Sequence, residues 1–214
     1  MRTLEMQALL RDSTRYGEVQ NVLEQGGLVC LPSKTSYRII ADLTNPEAVN
    51  RLHQSKHRTQ KAPSLVFIAE PKMLSQVAQE IPAPARKLAQ QLWPGPLTIL
   101  FSAHPDLPPK VVKSLIKANG KIGVRIPDEV WVKRIVSDLG RPVLVSSANR
   151  EKKVGAGSPA QVRKNFSRHV DLFIDAGELS LTEPSTVVDF QDGLPIITRQ
   201  GAIPSEHITA LFAP

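Results

Sequence analysis

The chain has 214 residues, and 27 lysines and arginines against 20 aspartates and glutamates give it a net charge of +7. Apolar residues make up 41% of the chain and charged residues 22%, which excludes a disordered, collagen-like or coiled-coil chain. The only cysteine, Cys30, excludes an intramolecular disulfide and a cysteine-built metal cage. Because the sequence has neither a membrane-spanning apolar run nor a secretory signal, we expect one cytoplasmic domain over residues 1–214, without a membrane partner.

Apolar runs predict strands, and apolar positions three or four residues apart predict helices. In chain order the patterns predict a helix stop at 26–27, a strand at 28–31, a helix at 45–54, a strand at 64–69, helices at 71–79 and 84–92, a strand at 97–101, a helix at 111–117, a strand at 122–126, a helix at 129–139 and a strand at 142–145. A helix at 160–166 is followed by strands at 172–174, 186–190 and 196–199. The early alternation and the late cluster of strands predict an α/β fold with a mixed sheet.

Polar segments follow several of these strands, where open α/β sheets place their ligands. Residues 32–38 supply hydroxyls and a cation, and residues 145–149 supply hydroxyls and an amide. Cations also follow a helix at 56–61 and end the last strand at Arg199. The basic excess favours an anionic partner such as a nucleotide or nucleic acid. Taken alone, residues 32–38 and 56–61 favour ordinary polar loops, and the charge is equally compatible with solubility alone.

Several familiar chemistries are not supported by the sequence. The five histidines lack paired metal-ligand spacing, so no protein-built metal site is expected. The Walker A, GxGxxG and GxSxG patterns are missing, which argues against those phosphate, dinucleotide and hydrolase sites. Cys30 is predicted to be a buried structural thiol, and Trp93 a packing residue.

Segments spread from about residue 19 to residue 203 together resemble the YrdC/YciO family. They are LPSKTSY at 31–37, ADLTNPEAVNRL at 41–52, KHR at 56–58, LWPGPLT at 92–98, IGVRIP at 122–127, SAN at 147–149, PSTVVD at 184–189 and RQGA at 199–202. One such motif would be weak, but their common order makes the resemblance specific.

The resemblance implies an open, twisted mixed sheet flanked by helices around a large basic cavity. It also implies synthesis of L-threonylcarbamoyladenylate and pyrophosphate from L-threonine, bicarbonate and ATP. Mg²⁺ would accompany the ATP phosphates, without a protein-built site. Partner proteins would use the product to modify adenosine 37 of tRNA.

Carried over position by position, the resemblance assigns Thr35, Arg125 and Ser185 to threonine. The ATP or adenylate would contact Lys56, Arg58, Lys121, Ser147, Asn149, Ser158 and Arg199. Lys56 and Arg58 would also be catalytic, because the transfer needs charge neutralisation and alignment more than a nucleophile. The planar fork of Arg125 suits a carboxylate.

The sequence departs from the family pattern at several positions. Lys34 stands where an acid is common, Arg38 where glycine is usual, and the basic run 150–153 replaces a Ser-Gly continuation. If that glycine permits close ligand approach, Arg38 would block or reshape the threonine pocket. The departures favour an alternative: a divergent YrdC-like protein that binds nucleotide, tRNA or duplex RNA without synthase activity. Dependence of ATP turnover on threonine would separate the two.

Overall fold

A computed structural model describes residues 1–34, 36–56, 64–116, 119–149, 157–180 and 182–213. The described strands are β1 (Arg2–Glu5), β2 (Val29–Leu31), β3 (Arg38–Asp42), β4 (Leu65–Phe67), β5 (Leu97–Ser102), β6 (Lys121–Arg125), β7 (Val143–Ser147), β8 (Leu172–Asp175), β9 (Thr186–Gln191) and β10 (Leu194–Arg199). The described helices are α1 (Met6–Arg11), α2 (Arg15–Glu24), α3 (Pro46–Lys56), α4 (Ala83–Leu92), α5 (Pro109–Ile116), α6 (Val130–Leu139), α7 (Pro159–Phe166) and α8 (Ser205–Ala210), with a 3-10 helix at Pro71–Gln76.

All ten strands belong to one sheet, in the order β1-β8-β2-β3-β7-β4-β6-β5-β9-β10. Four neighbouring pairs are parallel, namely β1–β8, β2–β8, β4–β6 and β5–β9, and the other five pairs are antiparallel. The predicted open, mixed α/β sheet flanked by helices is therefore confirmed.

The helices cover the sheet with apolar stripes. In α6 the buried side chains are Val132, Ile135, Val136 and Leu139, a three- and four-residue spacing that places them on one helix face. Gly140 ends this helix with a φ of 68°, a left-handed conformation that glycine adopts without strain. None of the helices in the described ranges is long and apolar enough to cross a membrane.

Two predictions about single residues in the core are confirmed. Cys30 is a buried thiol in β2. Trp93 is 9% exposed, and its Nε1 donates to the carbonyl oxygen of Leu97 at 2.9 Å. The indole therefore packs inside the molecule and does not offer a stacking surface.

The sequence patterns missed β1, α1, β3 and α8, and the helix predicted at 71–79 is wrong in type and length. That helix is a 3-10 helix that ends at Gln76, because the following residues pair with the end of β5 and the residue after it: the N–H of Gln79 donates to the carbonyl of Ser102, and Ala78 bridges to Ala103. The sequence patterns predict no strand at β3, yet its pairing with both β2 and β7 makes it a central strand. In both places, contacts distant in sequence override the local pattern.

Candidate functional site

Strand β6 presents alternate residues to one face of the sheet. Ile122 and Val124 are fully buried on one side. Lys121, Gly123 and Arg125 lie on the other side, because side chains alternate along a strand. We call this second side the site face.

The pairing register extends the site face to β7 and β3. Leu65 pairs with both Gly123 and Val145, so these three residues share a face. Ser147, two residues beyond Val145, lies on the same face, and so does Arg38, its partner on β3. Arg38 therefore lies beside Ser147, a predicted ATP ligand, and is not aligned across the sheet with Arg125.

Strands β5 and β9 bring two further candidates to the site face. The register that pairs Ile99 with Val124 sets Thr98 opposite Arg125. The hydroxyl of Thr98 lies 2.8 Å from the hydroxyl of Ser185, just before β9. Arg125 and Ser185, both predicted to bind threonine, therefore lie on either side of Thr98.

Arg125 is 5% exposed and faces carboxylates. Its Nη2 donates to Asp128 Oδ1 at 3.1 Å and lies 3.9 Å from Glu129 Oε2, and its guanidinium lies 5.9 Å from the centre of the Phe67 ring. Its Nε has no hydrogen-bond partner within the described ranges. Because a buried donor without a partner is costly, this N–H is suited to a ligand oxygen.

Lys34 also contacts these carboxylates. Its Nζ lies 2.5 Å from Asp128 Oδ2, and its backbone N–H donates to Glu129 Oε1 at 2.7 Å. The hydrogen bond and charge of Asp128 raise the pKa of Lys34. Burial alone would raise the pKa of Asp128, but the hydrogen bond from Lys34 and the charges of Lys34 and Arg125 together lower it. Asp128 is therefore held ionised between two cations.

Arg199 packs its guanidinium against Ser185. Its Nε and Nη2 donate to the carbonyl oxygen of Ser185 at 3.2 and 2.7 Å, and Nη2 is 3.1 Å from the Ser185 hydroxyl. Desolvation, followed by the positive charge of Arg125, lowers the pKa of Arg199. The two positive charges make this part of the site face a favourable place for an anion.

Gly201 allows this approach of Arg199 to Ser185. A Cβ atom at Gly201 would lie 2.6 Å from the carbonyl carbon of Ser185 and 2.7 Å from the nitrogen of Thr186. The next residue, Ala202, donates its N–H to the carbonyl of Pro184 at 2.9 Å. The glycine of RQGA is therefore required by close backbone contact.

Lys121 lies at the opposite end of β6 from Arg125. Four residues of strand separate the two side chains by about 13 Å. The Nζ of Lys121 is 2.5 Å from Asp189 Oδ1, so this cation also has a carboxylate partner. The structure therefore does not bring Lys121 together with Arg125, although both lie on the site face.

The remaining described candidates lie near the end of β7 and the start of α7. Ser147 is half-buried and Asn149 is buried two residues later. Ser158 precedes α7, and its hydroxyl donates to Glu178 Oε1 at 3.0 Å. Thr35 and Arg58 lie outside the described residues, as does the side chain of Lys56 at the end of α3.

Tyr37 anchors the chain immediately before β3. Its hydroxyl donates to the carbonyl of Gly177 at 2.8 Å and accepts from the N–H of Ala176 at 2.9 Å. Its ring packs edge-on against Phe173, with 5.2 Å between ring centres. Burial raises the pKa of Tyr37 to about 12. The neighbouring Arg38 is therefore fixed in register with Ser147.

Sequence reasoning missed Thr98, Asp128, Glu129 and Thr182 as parts of the candidate site. Thr98 is the last residue of LWPGPLT, so the motif contained a signal for it. Asp128 and Glu129 follow Arg125 by three and four positions, a spacing at which an acid can fold back onto a cation. Thr182 donates to the carbonyl of Lys34 at 2.7 Å across a separation of 148 residues, for which no local signal exists.

The structure also has two surface grooves. One, of about 280 Å³, is lined by residues that include Leu43, Pro108 and Pro142, and the other adjoins Glu5 and Ala176. Neither is lined by a predicted ligand residue. Within the described ranges, no group of three or more histidines, cysteines or carboxylates is arranged to hold a metal ion.

Comparison with protein families gives a match over most of the chain. The sequence model of the Sua5/YciO/YrdC family, described as telomere recombination, matches residues 21–201. The threonylcarbamoyl-AMP synthase of Pyrococcus abyssi is 31% identical over 87% of this chain and 54% of its own length. That of Bacillus subtilis is 28% identical over 96% of this chain and 59% of its own length. The chain thus spans a little over half the length of these two relatives.

Solved structures show the same architecture. The crystal structure of P. abyssi Sua5 complexed with L-threonine superimposes with a TM-score of 0.84 at 27% identity, covering 98% of this chain and 60% of that one. The crystal structure of Escherichia coli YciO gives a TM-score of 0.73 at 20% identity, covering 89% and 90% of the two chains, a likeness of fold alone.

Proposed function

The chain belongs to the Sua5/YciO/YrdC family, and we propose that it is an L-threonylcarbamoyladenylate synthase. It would convert L-threonine, bicarbonate and ATP into threonylcarbamoyl-AMP, pyrophosphate and water. The observation that carries the proposal is that Arg125 lies opposite Thr98, whose hydroxyl is 2.8 Å from that of Ser185, and that Arg199 contacts the same Ser185 hydroxyl at 3.1 Å. Relatives named threonylcarbamoyl-AMP synthase, at 31% and 28% identity, support it.

The reaction has two steps that the site face would serve. The threonine amine attacks the carbon of bicarbonate, a nitrogen–carbon bond forms and water leaves. An oxygen of the resulting carbamate attacks the α-phosphorus of ATP, and the bond to the bridging oxygen breaks, releasing pyrophosphate. Neither step needs a protein nucleophile, so the protein would act by aligning anions and stabilising their charge.

Threonine would bind at the Arg125 end. The planar guanidinium of Arg125 can pair with the substrate carboxylate through its unpartnered Nε. The hydroxyls of Thr35 and Ser185 would hold the rest of the amino acid, as the family resemblance implies. Ser185 is buried and already oriented by Thr98 and Arg199, so it would meet the substrate without further ordering.

ATP would bind along the rest of the site face. The proposed ligands are Lys56, Arg58, Lys121, Ser147, Asn149, Ser158 and Arg199, with Lys56 and Arg58 stabilising the transferring phosphates. Mg²⁺ would arrive with ATP, bound by phosphate oxygens and water. The proposed ligands are mostly cations and hydroxyls, which suit phosphate oxygens.

In the cell, this activity would supply tRNA modification. Residues 1–214 would act as one YrdC-like domain, since the ten described strands form one sheet. The product would pass to partner proteins that modify adenosine 37 of tRNA, in the cytoplasm, where tRNA is processed.

The test is pyrophosphate release from ATP by the full chain, measured with and without L-threonine and with and without bicarbonate. Release that requires both co-substrates is the expected result. Mass spectrometry of the product should give the mass of threonylcarbamoyl-AMP. Equal release without threonine would overturn the synthase assignment and indicate another nucleotide chemistry.

A second candidate function is RNA binding without synthesis, favoured by the net charge of +7 and the basic run 150–153. Binding of tRNA or duplex RNA through phosphates should weaken steeply as salt rises, because counterions are released. Strong salt-dependent binding together with inactivity toward threonine would favour this candidate over the synthase.

A further inference from the structure

Lys34 connects segments from three distant parts of the chain. Its ammonium contacts Asp128, its backbone N–H donates to Glu129, and its carbonyl accepts from the Thr182 hydroxyl. The ammonium and the N–H contact residues 94 and 95 positions away, and the carbonyl a residue 148 positions away. Such a junction fixes three loops relative to one another.

Each of the three segments adjoins a residue proposed to bind threonine. Lys34 immediately precedes Thr35 in sequence. The acidic pair follows Arg125 by three and four positions, and Thr182 precedes Ser185 by three. The junction is thus positioned to set the geometry of the proposed threonine site.

The charges at the junction balance only when Lys34 is present. Lys34 and Arg125 supply two positive charges, and Asp128 and Glu129 supply two negative charges. Without Lys34 the cluster would carry a net negative charge, and Asp128 would be left to Arg125 alone. An anionic ligand that approaches Arg125 would then be repelled.

We propose that Lys34 is a positioning residue for the threonine substrate. Its ammonium neutralises Asp128, so that the positive charge of Arg125 remains available to the substrate carboxylate. The inference rests on the proposed function and concerns a position where this chain departs from the family pattern. Lys34 acts through Asp128 and Arg125, at a distance from the reacting atoms.

The ion pair is exposed enough for its effect on binding to be separated from folding. The Lys34 side chain is 58% exposed and that of Asp128 25%. Exposed pairs of this kind contribute little to global stability. A variant at Lys34 should therefore remain folded and change mainly the charge that the ligand meets.

The experiment compares Lys34→Met, Lys34→Arg, Asp128→Asn and the double variant Lys34→Met/Asp128→Asn in the full chain. Lys72→Met is the matched control, because Lys72 also forms an exposed ion pair, 2.6 Å from Glu70, away from the junction. Three quantities are measured: threonine affinity by calorimetry without ATP, the KM for threonine and for ATP with kcat, and the melting temperature.

Lys34→Met should weaken threonine binding and raise its KM about tenfold, the effect of about one charge-assisted contact. The kcat, the KM for ATP and the melting temperature should change little. Lys34→Arg should restore most of the affinity, because it returns the cation. The double variant should bind threonine more tightly than Lys34→Met, because it restores the charge balance.

Three results would overturn the positioning role: wild-type threonine affinity in Lys34→Met, equal losses in Lys34→Arg and Lys34→Met, or a matching rise in the KM for ATP. A wild-type chain that neither binds threonine nor releases threonine-dependent pyrophosphate would overturn the proposed function, and this inference with it. An active wild type with an unaffected Lys34→Met overturns the inference alone.

Discussion

The two ends of β6 carry cations in contrasting surroundings. The Arg125 side chain is 6% exposed and lies among two carboxylates, an aromatic ring and a second guanidinium, whereas the Lys121 side chain is 31% exposed and contacts Asp189. Both residues belong to one strand and face the same way. The difference shows that the strand sets the direction of both side chains, while the residues that surround each end decide how tightly the cation is held.

This contrast fits the two ligands proposed for the site face. A small amino acid needs one well-ordered fork to select its carboxylate, and burial of Arg125 supplies that order. A polyphosphate presents many oxygens and tolerates a flexible ammonium such as Lys121. Tight geometry at one end and looser geometry at the other would therefore serve selection and charge neutralisation respectively.

The sharpest way to break the comparison is to remove each cation in turn. Arg125→Gln should lower the free energy of unfolding by about 3–5 kcal/mol, because the buried carboxylate of Glu129 loses the guanidinium 3.9 Å away and Asp128 is left with Lys34. It should also weaken threonine binding by about tenfold to a hundredfold, the value of a charge-assisted contact. Urea unfolding and threonine titration measure the two effects.

Lys121→Gln is the matched control at the other end of the strand. Its ion pair with Asp189 is partly exposed, so the free energy of unfolding should fall by about 1 kcal/mol or less. Threonine affinity should not change. Equal losses of stability in the two variants would show that the ends of β6 do not differ in the way the geometry indicates.

A second substitution tests the backbone that holds Arg199 near Arg125. Gly201→Ala should destabilise the protein by about 1–3 kcal/mol, because the new methyl group overlaps the backbone at Ser185 and Thr186. Displacement of Arg199, a proposed ATP ligand, should also weaken ATP binding. Thermal unfolding and ATP titration provide the measurements.

Gly17→Ala gives the opposite expectation and serves as the control. Gly17 lies inside α2, and a Cβ there would meet nothing within 4 Å. Alanine in a helix interior should raise the free energy of unfolding by about 0.5–1 kcal/mol relative to glycine. If both variants lose stability equally, close contact at Gly201 is not the reason that glycine stands there.

The surroundings of β6 could be predicted from the sequence only where the contacts are local in sequence. The strand around Arg125 could be predicted, because apolar residues alternate in IGVRIP and the segment resembles a family motif. The tie between Lys34 and Asp128 could not, because it joins loops 94 positions apart whose distance depends on the whole sheet. Strand β3 was missed for a similar reason: its two neighbours come from different parts of the chain.

The smallest expected effect concerns Tyr37. This residue immediately precedes Arg38 and fixes it beside Ser147, its pairing partner on β7. Tyr37→Phe removes the hydroxyl that bonds Gly177 and Ala176 and should lower the free energy of unfolding by about 1–2 kcal/mol at neutral pH. Tyr16→Phe is the control, because its ring packs 4.0 Å from the Arg134 guanidinium, a contact that phenylalanine retains. Its loss should stay under about 0.5 kcal/mol.

The pKa of Tyr37 predicts how its contribution to stability changes with pH. Burial raises the pKa of Tyr37 from 10.0 to about 12, so the folded protein favours the neutral phenol. The stability contributed by that phenol is complete below about pH 10 and is lost as the pH rises toward 12. Urea unfolding of wild type and Tyr37→Phe should therefore show a stability difference that narrows over this range, since other groups titrate alike in both proteins. A difference that stays constant would mean that Tyr37 ionises as readily in the folded chain as in the unfolded one, and a difference that widens would mean that it ionises more readily when folded; either result contradicts the prediction.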